Sequence, residues 1–404
     1  MRNEICVIEI KNKSIRLLIG YLLDDKVKIV YKTKRQLSVS LNDGDVLDIG
    51  SLSSDLQQIS RIDDKELNFK YLVKEAILVI PSFGLEVYSN TQSTNTISNI
   101  GTIETVDIKN VHSLIEKLRI PNENNMFVNI IPNYFLIEND KKEYQQAPLG
   151  RKSAYVTLNA NVYTLPKKFV SDLYKAFGNA NINIVKPYIS SLCSTKALMH
   201  NDFKYKRFVM VQVGSKNTIV TLVNNDQVTA STYFSLGGDD LTKLIADEFQ
   251  ISIKDAEYLK NTYGLETSSH TYNPVLATAL VPNPNVVCNR MTLNAVIQKY
   301  LKEMTSNLTN AIKVLLSGFD QFIDKIPLVM FGNTLKLKGL KEALMRTFVN
   351  NTIEFPKSNV AGADYSDFIN EIGAIYLHKE LAKNFQDEDK PSPKSSSILT
   401  REGE

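Results

Sequence analysis

Two stretches that lie about half a chain apart each predict a meander of three β-strands. In the first, apolar runs at 5–10, 15–23 and 26–37 are separated by short polar turns. The second stretch, 207–234, repeats the same pattern of runs and turns. A pattern that returns at this distance predicts two related domains, each opening with a hairpin whose tip could face a shared cleft. Because hairpins are common, a chance similarity of the two stretches stays open on the pattern alone.

Length, charge and cysteine spacing narrow the class of protein. At 404 residues the chain is too long for one simple core, and roughly two to four structural units are expected. A formal charge of +3, from 47 basic and 44 acidic residues, gives no reason to expect a nucleic-acid partner. No apolar run approaches the ~20 residues of a membrane span, and the start does not resemble a signal peptide. Three widely spaced cysteines predict neither disulfides nor a zinc site and indicate a reducing, cytosolic compartment.

Between the two meanders the pattern predicts a separate α+β insert. Its predicted elements are a strand at 76–81, a Ser/Asn/Thr-rich stretch at 89–99, a short amphipathic helix at 111–118, and strands at 126–137 and 153–163. A helix at 169–177 and a strand at 182–185 follow. The second half of the sequence predicts more helix. One helix starts after 237–238, and the next runs from a capping box at 252–255 to Gly264. A strand is predicted at 325–332, and further helices at 293–315, 338–348 and 365–385.

The segment 235–264, SLGGDDLTKLIADEFQISIKDAEYLKNTYG, carries the most specific motif. A Gly-Gly pair opens one helix, and the next helix contains the spacing AExxK. Together they resemble the nucleotide-binding half of the superfamily of actin, sugar kinases and heat-shock chaperones, and the ending AExLKxxYG is similar to FtsA in particular. In that family the two charged residues, here Glu257 and Lys260, meet the ribose. The spacing suits this role, because positions i and i+3 share a helix face.

Further blocks resemble FtsA in the same order over residues 4–380. These blocks are VIEIKNKSIRLLIG, MFVNIIPNYFLIEND, APLGRKSAYVTLNANVY, NINIVKPYISSLCSTKALM, RMTLNAVIQKYLKEM, LVMFGNTLKLKGLKEAL and FINEIGAIYLH. The insert lies where FtsA carries its extra subdomain, 1C, which actin, rod-shape proteins and chaperones lack. The resemblance implies an α/β, actin-like two-lobed fold of duplicated ribonuclease-H-like domains with an FtsA-type α+β 1C insert. PilM-type proteins share the insert, so a PilM-like pilus or secretion adaptor is the alternative.

The resemblance also divides the chain into subdomains. The predicted parts are 1A at 1–84, 1C at 85–165, 1A again at 166–200, 2A at 201–234, 2B at 235–308, 2A again at 309–361, a closing helix that returns to 1A at 362–385, and a disordered tail at 386–404. The tail is charged and rich in Ser and Pro, a composition typical of disorder. FtsA proteins normally end in an amphipathic helix that lies on the membrane, whereas Ile398 and Leu399 give too small an apolar face to hold a bilayer. Membrane contact is therefore expected to be weak or indirect.

The resemblance implies ATP and Mg²⁺ as cofactors, but the turns that should hold them depart from the family's pattern. The turn D-x-G-T-S begins at Glu9 here, and Lys11 replaces the glycine that lets backbone amides close on a phosphate. The turn D-x-G-G-G-T-T-D begins at Gln212, which supplies no negative charge for Mg²⁺, and it has lost both aspartates. Lys186 stands where the family has the glutamate that positions the attacking water, and an ammonium group cannot act as a base at neutral pH unless its pKa is strongly lowered.

These departures predict a degenerate ATP site with no catalytic residue and no metal ligand, and weak or absent hydrolysis. One alternative is that Lys11, Lys13 and Lys216 neutralise the phosphates, so that ATP binds without being split. Another is an active ATPase on the same fold, which would need a carboxylate near Lys186. The candidate cofactor-binding residues are Glu9, Lys11, Asn12, Lys13, Gln212, Gly214, Ser215, Lys216, Asn217, Gly237, Gly238, Glu257, Lys260, Gly332, Asn333, Thr334 and Lys336.

By resemblance, the chain is expected to act in cell division as a cytoplasmic scaffold at the inner face of the cell membrane, at the division site. It would bind the C-terminal tail of the tubulin-like FtsZ and self-associate head to tail into filaments. It would contact other divisome proteins through 1C, with no nucleic-acid partner. Arg290, Lys299 and Lys302 could meet the acidic tail peptide, on a helix where the family's arginine is Tyr300. A solvated basic helix face explains these residues equally well.

Overall fold

The apolar runs of the sequence form two separate mixed sheets, one in each of two units. The computed structural model describes residues 4–65, 69–138, 140–200, 203–266, 273–280, 286–317, 325–363, 365–384 and 399–401. The first unit consists of Met1–Phe203, Asn359–Ala363 and Phe368–Glu404, and the second of Lys204–Ser358 and Asp364–Asp367.

The described part of the chain alternates strands and helices. In chain order, the elements up to residue 203 are β1 (Ile5–Ile10), β2 (Ser14–Leu23), β3 (Lys26–Gln36), α1 (Ile49–Ser60), β4 (Arg61–Asp64), β5 (Phe69–Val73), β6 (Glu75–Ile80), β7 (Glu86–Asn95), α2 (Thr105–Glu116), β8 (Asn125–Ile137), β9 (Asp140–Tyr144), β10 (Tyr155–Pro166), α3 (Lys167–Asn179), β11 (Asn183–Ile189) and α4 (Ser190–Met199). The later elements are β12 (Arg207–Val213), β13 (Thr218–Asn224), β14 (Gln227–Phe234), α5 (Gly238–Phe249), α6 (Ile253–Tyr263), β15 (Val275–Ala277), β16 (Cys288–Asn289), α7 (Arg290–Leu316), β17 (Leu328–Phe331), α8 (Leu340–Thr347), β18 (Ile353–Glu354), α9 (Tyr365–Lys383) and β19 (Leu399–Arg401).

The central sheet of the first unit has five strands in the order β11-β6-β1-β2-β3. β1, β2 and β3 form an antiparallel meander, whereas β6 runs parallel to β1 and β11 runs parallel to β6. Every residue of β1 is buried. A strand that is covered on both faces reads as a continuous apolar run, which is how it appears in the sequence.

The insert of the first unit is a four-stranded antiparallel sheet, β7-β10-β8-β9, with α2 packed on one face. Along β10 every second residue from Val156 to Val162 is buried in one cluster with the apolar face of α2. This alternation of apolar and polar residues is the period-2 pattern of a strand that turns one face to an apolar core. The insert joins the unit where Glu86 of β7 pairs with Thr164 of β10.

The central sheet of the second unit repeats the first. Its strand order is β14-β13-β12-β17-β18, with an antiparallel meander followed by two parallel strands. The order and the strand directions match those of the first sheet, so the predicted repeat of meanders is confirmed. One apolar cluster joins this sheet to α5, α6, α7 and α8, and the long amphipathic face of α7 supplies much of it, from Leu293 to Leu316.

Helix caps that the sequence predicts are present in the second unit. Ser252 Oγ accepts a hydrogen bond from Asp255 N at 3.1 Å, as expected for the start of α6. Gly264 closes that helix at φ +60°, in the region that favours glycine.

Some elements differ from the prediction. α2 begins at Thr105, not at 111, because Asp107 accepts a hydrogen bond from Glu104 N at 2.9 Å and starts the helix one and a half turns earlier. The Ser/Asn/Thr-rich stretch forms most of β7, whose hydroxyl side chains pair with those of β10, as Ser93 does with Thr157 at 2.7 Å. α1 was not predicted, although its buried apolar residues, Leu52, Leu56 and Ile59, recur at helical spacing and Asp48 caps its start by accepting a hydrogen bond from Ser51 N.

The predicted disordered tail, 386–404, lies mostly outside the described residues. Of this segment the structure describes Leu399–Arg401, which pairs antiparallel with β5 in a three-stranded sheet. A free edge of β5 offers the unpaired backbone groups for this pairing. None of the described helices is long and apolar enough to cross a membrane.

Candidate functional site

The first candidate turn lies between β1 and β2 in the first unit, at the buried carboxylate of Glu9. Glu9 is 1% exposed. Its Oε1 accepts a hydrogen bond from Asn370 Nδ2 of α9 at 2.5 Å. On the other oxygen, Oε2, Lys11 Nζ lies at 3.3 Å and Arg16 Nη1 at 3.7 Å. Both oxygens of this carboxylate are therefore engaged by groups of the same unit.

Glu371, next to Asn370 on α9, completes a buried group of polar and titratable side chains. Burial raises the pKa of Glu371 well above its usual range, and the charge of Glu9 raises it further. Burial lowers the pKa of Lys11, as does Arg16, while Glu9 and Glu371 act in the opposite direction. We call Glu9, Lys11, Arg16, Asn370 and Glu371 the first hairpin cluster.

The tip of this hairpin is covered by the segment that follows β3. Leu37 N donates to Lys13 O at 2.9 Å, and Leu41 N donates to Asn12 O at 2.8 Å. Asn12 is 5% exposed, whereas Lys13 is exposed. The turn closes through Lys11 N, which donates to Ser14 O at 2.8 Å. The amide of Lys11 is thus used inside the hairpin and is not offered to a phosphate.

A magnesium ion does not fit beside Glu9. Mg²⁺ requires near-octahedral oxygen ligands at about 2.0–2.1 Å. Two cationic side chains, Lys11 and Arg16, already lie next to Oε2 and would repel a divalent ion. Within the described ranges, no group of three or more His, Cys, Asp or Glu side chains is arranged to hold a metal.

The second candidate turn, 214–217, packs against the start of α5 in the second unit. Gly238 N donates to Gly214 O at 3.1 Å, and Asp239 N donates to Ser215 O at 2.7 Å. Gly237 N donates to Asp240 Oδ2 at 2.7 Å, which is a capping-box contact. A helix N-terminus binds anions through its free N–H groups. Here three successive N–H groups already have partners in the protein, so a phosphate would have to displace them.

The glycines at this junction are required by close packing. A Cβ on Gly237 would come within 2.4 Å of Ser215 O. Gly332, with φ +125°, ends β17 so close to β12 that a Cβ would lie 2.2 Å from Val213 O. The loop after Gly332 returns to the second turn, where Thr334 Oγ1 donates to Gly214 O at 2.7 Å.

The predicted ribose residues form an internal pair. Lys260 Nζ lies 2.6 Å from Glu257 Oε2 and donates to Gly238 O at 3.1 Å and to Thr242 Oγ1 at 2.7 Å. Burial raises the pKa of Glu257, but hydrogen bonds from Lys260 and Thr242 outweigh it, and the pKa is lowered. Because its side chain is 45% exposed, Glu257 can still offer a carboxylate to a ligand.

The structure places the other predicted residues individually. Asn333 Nδ2 and Lys336 Nζ bind the two oxygens of Asp367, at 3.0 and 3.1 Å. Gln212 pairs with Ile219 and Phe331 inside the sheet. Ser215 and Lys216 are half-buried in the turn, and Asn217, which closes it, is buried.

Lys186 lies exposed on β11, in the first unit. Its charge contributes to lowering the pKa values of His112 and His378, for both of which burial is the larger cause. Lys186 takes part in none of the ion pairs with a carboxylate that are found among the described residues.

Sequence reasoning missed the residues that close the two turns. Asn370 and Glu371 stand in a block that was matched to the family, FINEIGAIYLH, but nothing in their spacing assigns them to Glu9. Asp240 had a local signal, because an acid three residues after Gly237 is the pattern of a capping box.

The predicted partner-binding residues do not share one environment. Lys299 and Lys302 are exposed on α7. Arg290 pairs with Glu266 at 2.8 Å and lies over the ring of Tyr263. Tyr300, at the position of the family's arginine and counted with the partner-binding residues by resemblance, is 1% exposed, and its hydroxyl donates to Gly237 O at 2.9 Å.

Comparisons with known proteins show which sequences and folds this chain is similar to. No family model matches the chain. The chain is 22% identical to the cell division protein FtsA of Bacillus subtilis over 267 residues, which cover 65% of this chain and just over half, 58%, of the relative. It is 23% identical to FtsA of Enterococcus hirae over 385 residues, covering 94% of this chain and 84% of the relative.

Solved structures show the fold. A chain of the PilM-PilN type IV pilus biogenesis complex matches with a TM-score of 0.54 and 16% identity, covering 95% of this chain and 99% of the other. MreB5 of Spiroplasma citri, solved with AMPPNP, matches with a TM-score of 0.54 and 10% identity over 95% and 98% of the two chains. The chain is therefore a divergent relative of the FtsA cell-division proteins, built on the actin-like fold.

Proposed function

We propose that this chain is an FtsA-type division scaffold that works without turning over ATP. In this role it binds the C-terminal tail of FtsZ, self-associates into filaments, and links the division ring to the inner face of the membrane. The observation that carries the proposal is the similarity to FtsA over 94% of the chain. The likeness to the PilM complex is one of fold only, at 16% identity, so sequence favours FtsA over a pilus adaptor.

The two turns support the non-enzymatic part of the proposal. Phosphoryl transfer depends on positioning and on charge stabilisation by backbone amides and a metal ion. In this chain the amides of 237–239 are hydrogen-bonded internally, and Glu9 is held by Lys11 and Asn370. Nucleotide binding through Glu257 remains compatible with the proposal, since a scaffold can bind ATP without splitting it.

The surface of α7 is the proposed site for the FtsZ tail. Lys299 and Lys302 are exposed there and carry the charge that an acidic peptide requires. Head-to-tail self-association and divisome contacts through 1C are part of the proposal by similarity alone.

The test is binding of a fluorescent peptide from the FtsZ tail of the same species, followed by anisotropy. We expect saturable binding by the full chain and a loss of about tenfold or more in affinity for Lys299→Glu/Lys302→Glu, equivalent to ~1.4 kcal/mol. Lys313→Glu is the matched control, since Lys313 is exposed on the same helix about three to four turns further along. Absence of saturable binding, or an equal loss with the control, would contradict the proposal.

A further inference from the structure

We propose that the first hairpin carries its own cation: Lys11, together with Arg16, takes the place beside Glu9 that a divalent ion would otherwise need, and makes the hairpin independent of metal. The inference rests on the proposed function in one respect, because it concerns the same degenerate site. It requires neither FtsZ binding nor filament formation.

The carboxylate of Glu9 is buried and is paired within the folded chain. A carboxylate that is 1% exposed is costly unless it is paired and hydrogen-bonded. Asn370 binds Oε1 at 2.5 Å, while Lys11 at 3.3 Å and Arg16 at 3.7 Å lie on the side of Oε2. The carboxylate is thus compensated on both oxygens by side chains that belong to the folded chain.

The side chain of Lys11 points back towards Glu9. Its side chain is 22% exposed and turns back from the hairpin to Glu9, in contrast to Lys13, two residues later on the same turn, which is exposed. A lysine on a hairpin tip normally extends into water, where its charge is well solvated. The inward orientation therefore has a cause, and the buried charge of Glu9 supplies it.

Lys11 and Arg16 leave no favourable place for a divalent ion beside Glu9. A divalent ion bound to Oε2 would lie close to two cations, and the second carboxyl nearby, Glu371, is fully buried among the same groups. Removing the Lys11 charge leaves Glu9 with Asn370 and the more distant Arg16. Only then does a place for a hydrated divalent ion open on the solvent side of the turn.

Thermal unfolding of the full chain in EDTA and in Mg²⁺, at equal ionic strength, tests the proposal. For the wild type we expect the midpoint to be the same in both buffers to within about 1 °C. Lys11→Met should lower the midpoint in EDTA by ~5 °C or more, because the buried charge of Glu9 then keeps only the more distant Arg16 as a cationic partner, and Mg²⁺ should restore part of that loss. Lys13→Met, the matched control, should behave as the wild type in both buffers.

A double-mutant cycle keeps the test decisive if Lys11→Met does not fold. In the Glu9→Gln background Lys11 has no carboxylate to compensate, so adding Lys11→Met should leave the midpoint nearly unchanged. A further loss as large as in the wild-type background would overturn the proposal, as would a wild type stabilised by Mg²⁺ by more than about 2 °C. Because no readout involves FtsZ, these outcomes stand apart from the success or failure of the peptide-binding test.

Discussion

Glu371 is a fully buried carboxyl group on α9. Neither of its oxygens accepts a hydrogen bond from the residues that the structure describes. Burial and the nearby charge of Glu9 raise the pKa of Glu371 well above its usual range. The group is therefore held protonated in the folded chain at pH values where it ionises in the unfolded chain, and this difference links stability to pH.

The sign of that link gives a prediction for Glu371→Gln. A raised pKa in the folded state stabilises fully only below the unfolded value of 4.5, and the contribution is lost as the pH rises. The neutral amide should therefore raise the free energy of unfolding at pH 7.5 by roughly 1–3 kcal/mol and change it little near pH 4. Urea unfolding at the two pH values measures this. Glu380→Gln, at a half-buried position of α9 where the carboxylate pairs with Lys196, should show no gain at pH 7.5, and an equal gain for both variants would contradict the interpretation.

Among elements, α5 shows how a helix start is satisfied by tertiary contacts. Its first N–H groups bind Gly214 O and Ser215 O of the second turn, and Asp240 binds the amide of Gly237. From α7, Tyr300 donates to Gly237 O. The turn, α5 and α7 thus share one hydrogen-bonded junction.

Removing the cap of α5 should destabilise the chain moderately. Asp240→Ala loses the capping-box contact with Gly237 N and is expected to cost about 0.5–2 kcal/mol. Asp247→Ala, exposed near the C-terminal end of the same helix, is the control and should cost nothing, because an acid there opposes the helix dipole. Chemical unfolding of both variants provides the measurement. A loss for Asp247→Ala as large as that for Asp240→Ala would argue against the cap.

Elements with a strong local signal could be predicted from the sequence. β1, with its continuous apolar run, and α6, with Ser252 and Gly264 at its ends, lie where the pattern places them. β7 could not be predicted, since serines, threonines and asparagines dilute its apolar period, and its position is set by pairing with β10, which local sequence does not encode. α1 was missed although Leu52, Leu56 and Ile59 recur at helical spacing.

For the whole chain, the same strand order and directions in the two sheets are what the repeated meander predicts. For the candidate nucleotide site, the sequence predicted which turns form it but not the contacts that their side chains make. That Asn370 binds Glu9 depends on a contact between residues 361 positions apart, and Lys11 turns towards Glu9 only because the fold buries that carboxylate. No periodicity or spacing in the sequence carries that information.

At this scale we expect no ATP turnover. Phosphate release by the full chain should stay at buffer background, and Lys186→Glu alone should not restore it, because the amides of 237–239 and the carboxylate of Glu9 remain engaged. A phosphate-release assay with ATP and Mg²⁺ measures both proteins, with a known ATPase as the positive control for the assay. Release that saturates with ATP in the wild type would instead support the active-ATPase alternative.

The way the insert is attached has a consequence for how this chain can change over time. The first strand of the insert, β7, begins beside the end of its last strand, β10, where Glu86 pairs with Thr164. Everything between them forms one excursion with its own apolar centre, entered and left at adjacent points. Such a cassette can be lengthened, trimmed or exchanged while the register of the parent sheet is preserved, so sequence change can accumulate there without disturbing the sheet that carries it.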